Sequence, residues 1–379
     1  MERTPYRFGA PVEPPWFCDR EDELAVLSSR MAAGIHVFVL SPRRYGKTSL
    51  IRRGMEMVER EGGRCAYANL LLATNEAELA AMILQAVVRG VLGPAGRARH
   101  SLENVLSQLR VSPKVSVTAD GAVSIALDPV VVGTSWLDVI DDALAVLRRT
   151  GSRRPAVLVL DEFQVVAGLG RTGVGGAFKA IADNARDVSI VFAGSHLSVM
   201  EQLTKGRGAP LHGMGERLVL DVVPEGPMVA YLQRRAKSVG KRLDKAAARL
   251  IYESADRVPN SVQQLALAAF EASRADAAIT AEHVVDGFET VVDRSAFIYA
   301  QQFEDLGGAP SQQRILKVLA RQAVESVYAK SFLDAVGVAN ANAVTTALHV
   351  LDSRELVVRR GRAWDVADPF LRRWLARSS

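Results

Sequence analysis

The residues best suited to chemistry lie in one stretch, Ser41-Pro-Arg-Arg-Tyr-Gly-Lys-Thr48. It follows an apolar segment, Ile35 to Leu40, that is typical of a buried parallel strand, and it precedes a segment with helical spacing. A strand, a turn and a helix N-terminus in this order predict a phosphate-binding loop, where backbone N–H groups converge on an anion. Lys47 would contact the β- and γ-phosphates, and the Thr48 hydroxyl would hold Mg²⁺. Ser41 stands where the usual pattern has Gly, so we expect a slightly different entry into the loop.

A second apolar segment, Val157 to Leu160, ends in two acids. A buried strand that carries carboxylates needs a reason, because buried charge is costly without a partner. We expect Asp161 to complete the Mg²⁺ shell and Glu162 to orient or deprotonate an attacking water. Either acid alone would also suit a strand that meets solvent. Together with Lys47, they favour a catalytic site.

A third apolar segment, Val188 to Ala193, ends in Gly194-Ser195-His196. If this strand neighbours the Asp161 strand, Ser195 lies where it could sense the γ-phosphate. The alternative role for Ser195 is a helix N-cap. Basic candidates for stabilising charge follow in a Gly-rich segment: Lys205, Arg207 and Arg217.

The order of segments along the chain predicts the elements that position these residues. Strands alternate with helices, which predicts a parallel α/β sheet with right-handed crossovers. We expect an α/β core over residues 1–222, interrupted at about 98–133 by a β-hairpin that turns at Asp120-Gly121. Helical segments fill 223–300, and residues 301–379 show three helices and then a strand pair, the order of a winged helix-turn-helix.

Composition narrows the class of protein. The 379 residues are 49% hydrophobic and 23% charged, which excludes intrinsic disorder. Cys18 and Cys65 form no disulfide framework or zinc pattern, which suits a reducing compartment. No apolar run reaches the ~18 residues of a membrane span, and the N-terminus lacks the apolar core of a signal peptide. We therefore expect a cytoplasmic protein without membrane contact.

The net charge of +5 is concentrated at the C-terminal end. Residues 311–379 hold eleven Arg or Lys and six Asp or Glu, so this segment carries the whole basic excess. An acidic partner for this segment is one interpretation, and a solvated basic face is the other.

With these motifs, the sequence resembles the archaeal-type ATPase family, a branch of the P-loop NTPases close to the STAND and AAA+ groups. The matching pieces are Phe17-Cys-Asp-Arg20-Glu21-x-Glu-Leu24, Pro42-Arg-Arg-Tyr-Gly-Lys-Thr-Ser49, Leu160-Asp-Glu-Phe-Gln164, Gly194-Ser195, Pro210-Leu-His-Gly213 and Asp368-Pro-Phe-x-x-x-Trp374. The resemblance implies an AAA+-like α/β core, an α-helical lid and a C-terminal winged helix. It also implies ATP and Mg²⁺ as ligands.

The resemblance also implies further site residues. Phe17 and Arg20 would contact adenine. The phosphates would be surrounded by Arg43, Arg44, Tyr45, Gly46, Lys47, Thr48 and Ser49. Arg257 lies in the turn of a second sensor in the lid. Met214 stands where the family usually has an arginine, which leaves Arg217 as a displaced arginine finger.

Two functions of different classes follow. The first is an ATPase that acts as a nucleotide-dependent switch. Its hydrolysis is slow without a protein partner, its winged helix is repositioned, and the chain assembles with itself when ATP is bound.

The second is a DNA-binding protein that holds ATP as a structural ligand. In it Arg359, Arg360 and Arg362 of the wing meet DNA phosphates. In the predicted recognition helix the base-contacting candidates are Asn342, Thr345 and His349. A degenerate nucleotide-binding scaffold is a third option, indicated by Ser41 and Met214.

Overall fold

The computed structural model describes residues 4–92, 114–117, 123–126, 135–150, 155–169, 173–185, 187–308 and 310–377. The chain divides into two compact units. The first unit comprises Met1–Asp19, Arg43–Gly46 and Val222–Ser379, and the second comprises Arg20–Pro42 and Lys47–Asp221. The middle of the predicted phosphate loop therefore belongs to the first unit, although Lys47 and Thr48 belong to the second.

The second unit contains the predicted α/β core. Its strands are β1 (Val37–Leu40), β2 (Arg64–Asn69), β3 (Lys114–Val117), β4 (Val123–Ala126), β5 (Ala156–Asp161), β6 (Val188–Gly194) and β7 (Glu216–Val219). Its described helices are α1 (Glu21–Ala32), α2 (Lys47–Arg60), α3 (Glu76–Leu92), α4 (Trp136–Thr150), α5 (Val174–Asn184) and α6 (Leu197–Thr204), with a 3₁₀ segment at Phe163–Gly168.

The main sheet has the strand order β2-β5-β6-β1-β7, and its neighbouring strands are parallel. Every residue of β1, β5 and β6 is buried, which explains why these strands are continuous apolar runs rather than alternating ones. The carboxyl ends of the strands share one edge, where Asn69 pairs with Asp161 and Leu40 pairs with Gly194. The predicted parallel sheet is confirmed, and it brings the ends of β1, β5 and β6 together.

A cluster of aromatic rings holds the β5 and β6 ends in place. Phe192 of β6 stacks on Phe38 of β1 at 4.9 Å between ring centroids and meets the edge of Phe163 at 4.7 Å. Phe163 also packs edge-on against Phe178 at 5.1 Å. Phe163 directly follows the two acids of the LDEFQ segment, so its burial anchors the backbone that carries them.

The β-rich insertion is described in part. β3 and β4 pair antiparallel, with Lys114 opposite Ala126 and Val117 opposite Val123, as the alternating pattern predicts. The predicted turn at Asp120-Gly121 and the rest of the 98–133 segment lie outside the described residues.

The first unit is mostly helical. Its helices are α7 (Glu225–Lys237), α8 (Lys245–Ser254), α9 (Pro259–Ala272), α10 (Ala281–Glu304), α11 (Pro310–Arg321), α12 (Lys330–Val336), α13 (Ala341–Ser353) and α14 (Pro369–Arg377). Its strands are β8 (Arg242–Leu243), β9 (Ala278–Ile279), β10 (Val357–Arg360) and β11 (Ala363–Val366). β10 and β11 form an antiparallel wing after α13, so the predicted winged helix-turn-helix is confirmed. Within the described ranges, no helix has both the length and the apolar composition that crossing a membrane requires.

Besides the two-residue strands β8 and β9 and the 3₁₀ segment, three elements of the described structure were not predicted from the sequence. β7 is an edge strand whose residues are mostly exposed. Its sequence therefore has no apolar run from which a buried strand could be predicted. α6 spans only Leu197–Thr204, and α14 begins at Pro369, directly after the wing.

Candidate functional site

The second unit buries an ion pair where α2 begins and β5 ends. The Lys47 Nζ lies 2.8 Å from the Asp161 Oδ1 and 3.5 Å from the Glu162 Oε1. The Lys47 and Asp161 side chains are only 7% and 2% exposed. Apart from these carboxylates, the buried ammonium has no hydrogen-bond acceptor in the described part of the chain. Burying a charge with donors left over is costly for folding, which points to an anionic ligand that would complete them.

Asp161 is held by two hydroxyl groups in addition to Lys47. Its Oδ2 accepts hydrogen bonds from the Tyr67 Oη at 2.6 Å and from the Thr48 Oγ1 at 3.0 Å. Burial works to raise the pKa of Asp161, but the Lys47 charge and these donors outweigh it, and the pKa lies below its ordinary value. Burial and the neighbouring Asp161 charge raise the pKa of Tyr67, so the phenol stays a donor. Asp161 is therefore an anion with a fixed orientation.

Glu162 is held by a separate pair of donors. Its Oε2 accepts from the Gln164 Nε2 at 2.6 Å and from the Ser195 Oγ at 3.0 Å. The Gln164 Oε1 accepts from the Ser195 backbone N–H at 3.3 Å, which closes a triangle of three polar residues. Glu162 has a left-handed backbone with a φ of 58°, a conformation that costs energy for a residue with a Cβ. The surrounding contacts therefore maintain a strained residue at the end of β5.

Ser195 lies next to Glu162 because β6 neighbours β5 in the sheet. The N-cap of α6 is His196, so Ser195 does not have the capping role that was its alternative. The contacts of Glu162, Gln164 and Ser195 require a glycine at position 194. A Cβ at this position would lie 2.6 Å from the Met200 side chain and 3.0 Å from the Gln164 Oε1, which is too close.

The arginines of the phosphate loop face acids within the first unit. The Arg44 Nη1 lies 2.7 Å from the Asp368 Oδ2, and Arg43 pairs with Glu355. Gly46 and Arg44 both have left-handed backbones, with φ of 90° and 71°. The other predicted loop residues, Tyr45 and Ser49, are buried.

The remaining predicted residues have other partners. The buried Arg20 contacts Glu23 at 2.6 Å and the backbone oxygen of Asp221. Arg217 lies on β7 and donates to the Thr204 Oγ1 at 2.7 Å, and Arg257 pairs with Glu253 at 3.0 Å. Phe17 lies in the first unit and is half-buried.

Sequence reasoning missed Tyr67 and Gln164. Tyr67 lies on β2, which pairs with β5, and Gln164 follows Glu162 by two residues. Parallel strands end at one edge of a sheet, so a polar residue near the end of β2 was a usable signal for Tyr67.

Comparisons with known proteins agree with this architecture. A family model described as a probable winged helix domain matches residues 297–377. No curated protein matches the chain. A Walker-type ATPase of Pyrococcus abyssi is 16% identical with a TM-score of 0.68, and the alignment covers 98% of this chain and 99% of that one.

Two ORC proteins of Aeropyrum pernix are also similar. The ORC2 protein, solved with ADPNP and ADP, is 15% identical with a TM-score of 0.51, covering 97% of this chain and 96% of that one. The ORC1 protein, solved in complex with DNA, is 17% identical with a TM-score of 0.51, covering 96% and 94%. These likenesses confirm the predicted fold, an α/β core of the P-loop ATPase type with a C-terminal winged helix.

Proposed function

We propose that this protein binds and hydrolyses Mg²⁺-ATP through Lys47, Thr48, Asp161 and Glu162. The observation that carries this proposal is the buried Lys47 ammonium, which keeps unused donors beside two carboxylates. The ammonium lies at the first residue of α2, and the N-terminus of a helix attracts an anion. The β- and γ-phosphates supply the charge and the acceptors that this position lacks.

The residues around Lys47 also fit Mg²⁺. Thr48 and Asp161 already share a hydrogen bond of 3.0 Å, so a hydroxyl and a carboxylate oxygen lie together. Mg²⁺ takes such oxygen ligands and retains several waters. When bound, the metal neutralises charge on the phosphates. Tyr67 keeps the Asp161 carboxylate in a fixed orientation for that role.

Glu162 is the residue that orients or deprotonates the attacking water. Gln164 and Ser195 fix its Oε2, which leaves the Oε1, 3.5 Å from the Lys47 Nζ, directed toward the phosphate side of the site. Ser195 has one hydroxyl proton and gives it to Glu162. A γ-phosphate oxygen within reach would compete for that proton, which makes Ser195 the residue that senses the triphosphate.

We extend the proposal to a slow, nucleotide-dependent switch. The winged helix is the element that a protein partner or a second copy of the chain would contact, and the γ-phosphate is the group that distinguishes the two states. Phe17 and Arg20 as adenine contacts, and Arg217 and Arg257 as phosphate contacts, stay predictions. To contact nucleotide, Arg20 would have to release the Asp221 oxygen, Arg217 the Thr204 hydroxyl and Arg257 the Glu253 carboxylate.

The test is Glu162→Gln. The amide keeps the shape of the side chain but cannot accept a proton from water, so we expect unchanged ATP binding and a loss of phosphate release. Glu201→Gln, an exposed glutamate of the same unit, is the matched control and should behave as wild type. Equal phosphate release by wild type and Glu162→Gln would end the hydrolysis proposal.

DNA binding is the second candidate, favoured by the surface of the winged helix. Asn342, Thr345 and His349 are all exposed on α13, and Arg359 and Arg362 are exposed in and beside β10. The similar ORC1 protein was solved with DNA. If this surface meets phosphates, we expect the affinity for duplex DNA to fall steeply with added salt. Arg359→Ala should then reduce the slope of log affinity against log salt concentration by about one. No binding at low salt would exclude this candidate.

A further inference from the structure

Two separate motifs of the chain meet in the first unit. Arg43 and Arg44 belong to the phosphate-loop motif, and Asp368 belongs to the Asp-Pro-Phe motif more than three hundred residues later. Arg44 contacts Asp368 at 2.7 Å, and Arg43 contacts Glu355. The Asn260 backbone N–H also donates to the Arg44 oxygen at 3.3 Å. The centre of the loop is therefore tied to the first unit by its backbone and by both side chains.

The acids in these pairs are less exposed than the arginines, and Asp368 has further partners of its own. The Asp368 Oδ1 accepts from the Phe370 backbone N–H at 2.9 Å and caps α14, and its Oδ2 also lies 3.4 Å from the Tyr299 hydroxyl. Asp368 is 15% exposed and Arg44 is 46% exposed. The same contrast holds for Glu355 at 20% and Arg43 at 65%. The Asp368 carboxylate is thus held by its own helix, and both guanidinium groups are exposed enough to meet a second ligand.

A guanidinium group binds carboxylate and phosphate with the same planar set of donors. The two arginines lie directly before Gly46 and Lys47, within the stretch that would surround phosphates. Each acid contacts one nitrogen of its arginine and balances its charge, so a phosphate bound to the same guanidinium would lie beside a carboxylate that repels it. Each ligand therefore weakens the hold of the other, and the coupling between them is reciprocal.

We propose that Asp368 and Glu355 compete with nucleotide phosphates for Arg44 and Arg43, so that the winged helix restrains the phosphate loop and nucleotide releases it. This inference rests on the proposed ATP site, and it adds the groups that regulate it. The restraint includes Arg44 in its left-handed conformation, which the contacts on its backbone oxygen and its side chain maintain together.

The experiment uses the full chain and measures Mg²⁺-ATP affinity. Asp368→Asn removes the charge but keeps a good N-cap for α14. We expect ATP to bind about two- to fivefold more tightly, because partly exposed ion pairs are weak. Glu355→Gln should act in the same direction, and the double variant should approach roughly the product of the two effects. Glu289→Gln is the matched control. It weakens the contacts of Glu289 with Arg373 and Arg377 of α14, the helix that Asp368 caps, and should not alter the affinity for ATP.

A second measurement, without nucleotide, separates this inference from the proposed function. We expect amide hydrogen exchange over residues 41–48 to become faster in Asp368→Asn and in the double variant, but not in Glu289→Gln. Unchanged loop exchange, or unchanged or weaker ATP affinity in both single variants, would overturn the inference. If wild type binds no ATP while loop exchange still becomes faster, the loop restraint stands and the ATP proposal fails.

Discussion

The two units differ in how deeply they bury their charged side chains. In the second unit, Lys47 and Asp161 are almost fully buried, and the ammonium has donors without acceptors in the described structure. In the first unit, Arg360 and Arg372 each contact both Asp256 and Asp365, at 2.6 to 2.9 Å. Both arrangements set a cation beside two carboxylates, and in both a buried donor lacks an acceptor in the described structure, Lys47 Nζ in one and Arg360 Nε in the other. The difference lies in burial: Lys47 is 7% exposed, whereas Arg360 and Arg372 are 30% and 29% exposed.

This difference indicates two roles for charged side chains: some bind a ligand, and others stabilise the fold. A buried and incompletely paired cation is costly for folding, so it is retained for binding or catalysis. The four-residue network instead joins the wing and α14 to the turn before α9, where Asp256 has a left-handed φ of 52°. We therefore expect substitutions in the second unit to cost function, and those in the network to cost stability.

The largest expected effect is the loss of ATP binding in Lys47→Ala. Hydrogen bonds to charged groups contribute about 1.5 to 3 kcal/mol each, so affinity should fall about a hundredfold or more. Arg360→Ala removes a cation from the first-unit network and should leave affinity within about twofold. Isothermal titration of both variants checks this. Equal losses would remove the distinction between the two units.

The next effect concerns the group that holds Glu162. In Gln164→Leu the Glu162 Oε2 keeps its Ser195 donor but loses the 2.6 Å donor, and a hydrogen bond to a charged group contributes about 1.5 to 3 kcal/mol. We expect kcat for ATP hydrolysis to fall about tenfold, with little change in KM. Gln202→Leu, at an exposed position of α6, is the control. A change confined to KM would mean that Gln164 serves binding instead.

A stability effect should appear in the first unit. Asp365→Asn weakens the contacts with Arg360 and Arg372, and we expect the free energy of unfolding to fall by about 1 to 3 kcal/mol. Three of the four tryptophans, Trp16, Trp364 and Trp374, lie in the first unit, so tryptophan fluorescence in urea mainly follows this unit. The exposed Asp293→Asn should change stability by less than about 0.5 kcal/mol. A loss of ATP affinity without a loss of stability in Asp365→Asn would contradict the structural role.

The smallest effect belongs to Tyr67. Tyr67→Phe removes one of the three side-chain partners of the Asp161 carboxylate, and Lys47 and Thr48 remain, so the Mg²⁺ concentration for half-maximal hydrolysis should rise only about two- to tenfold. Tyr252→Phe also loses one hydrogen bond, to the Val223 oxygen, but in the first unit, and should leave the Mg²⁺ requirement unchanged. A lower Mg²⁺ requirement in Tyr67→Phe would show that the phenol competes with the metal.

Local patterns were enough to predict most of the architecture. The buried runs of β1, β5 and β6, the helix after Gly46 and the wing around Gly361 each depend on neighbouring residues, so their spacing predicts them. The same logic placed Lys47, Asp161 and Glu162 at the ends of elements. Because parallel strands end at one edge, their proximity followed from the predicted sheet.

The partners of these residues depended on the tertiary structure. Asp368 lies beside Arg44, and Ser195 beside Glu162, through contacts between residues far apart in the chain. The exposed strand β7 has no apolar period, and only its pairing with β1 makes it a strand. Periodicity reports which face of an element is buried, but it carries no information about which distant side chain lies opposite. The pairing of distant side chains is determined only when the whole chain packs, because it depends on the burial and charge of every segment at once.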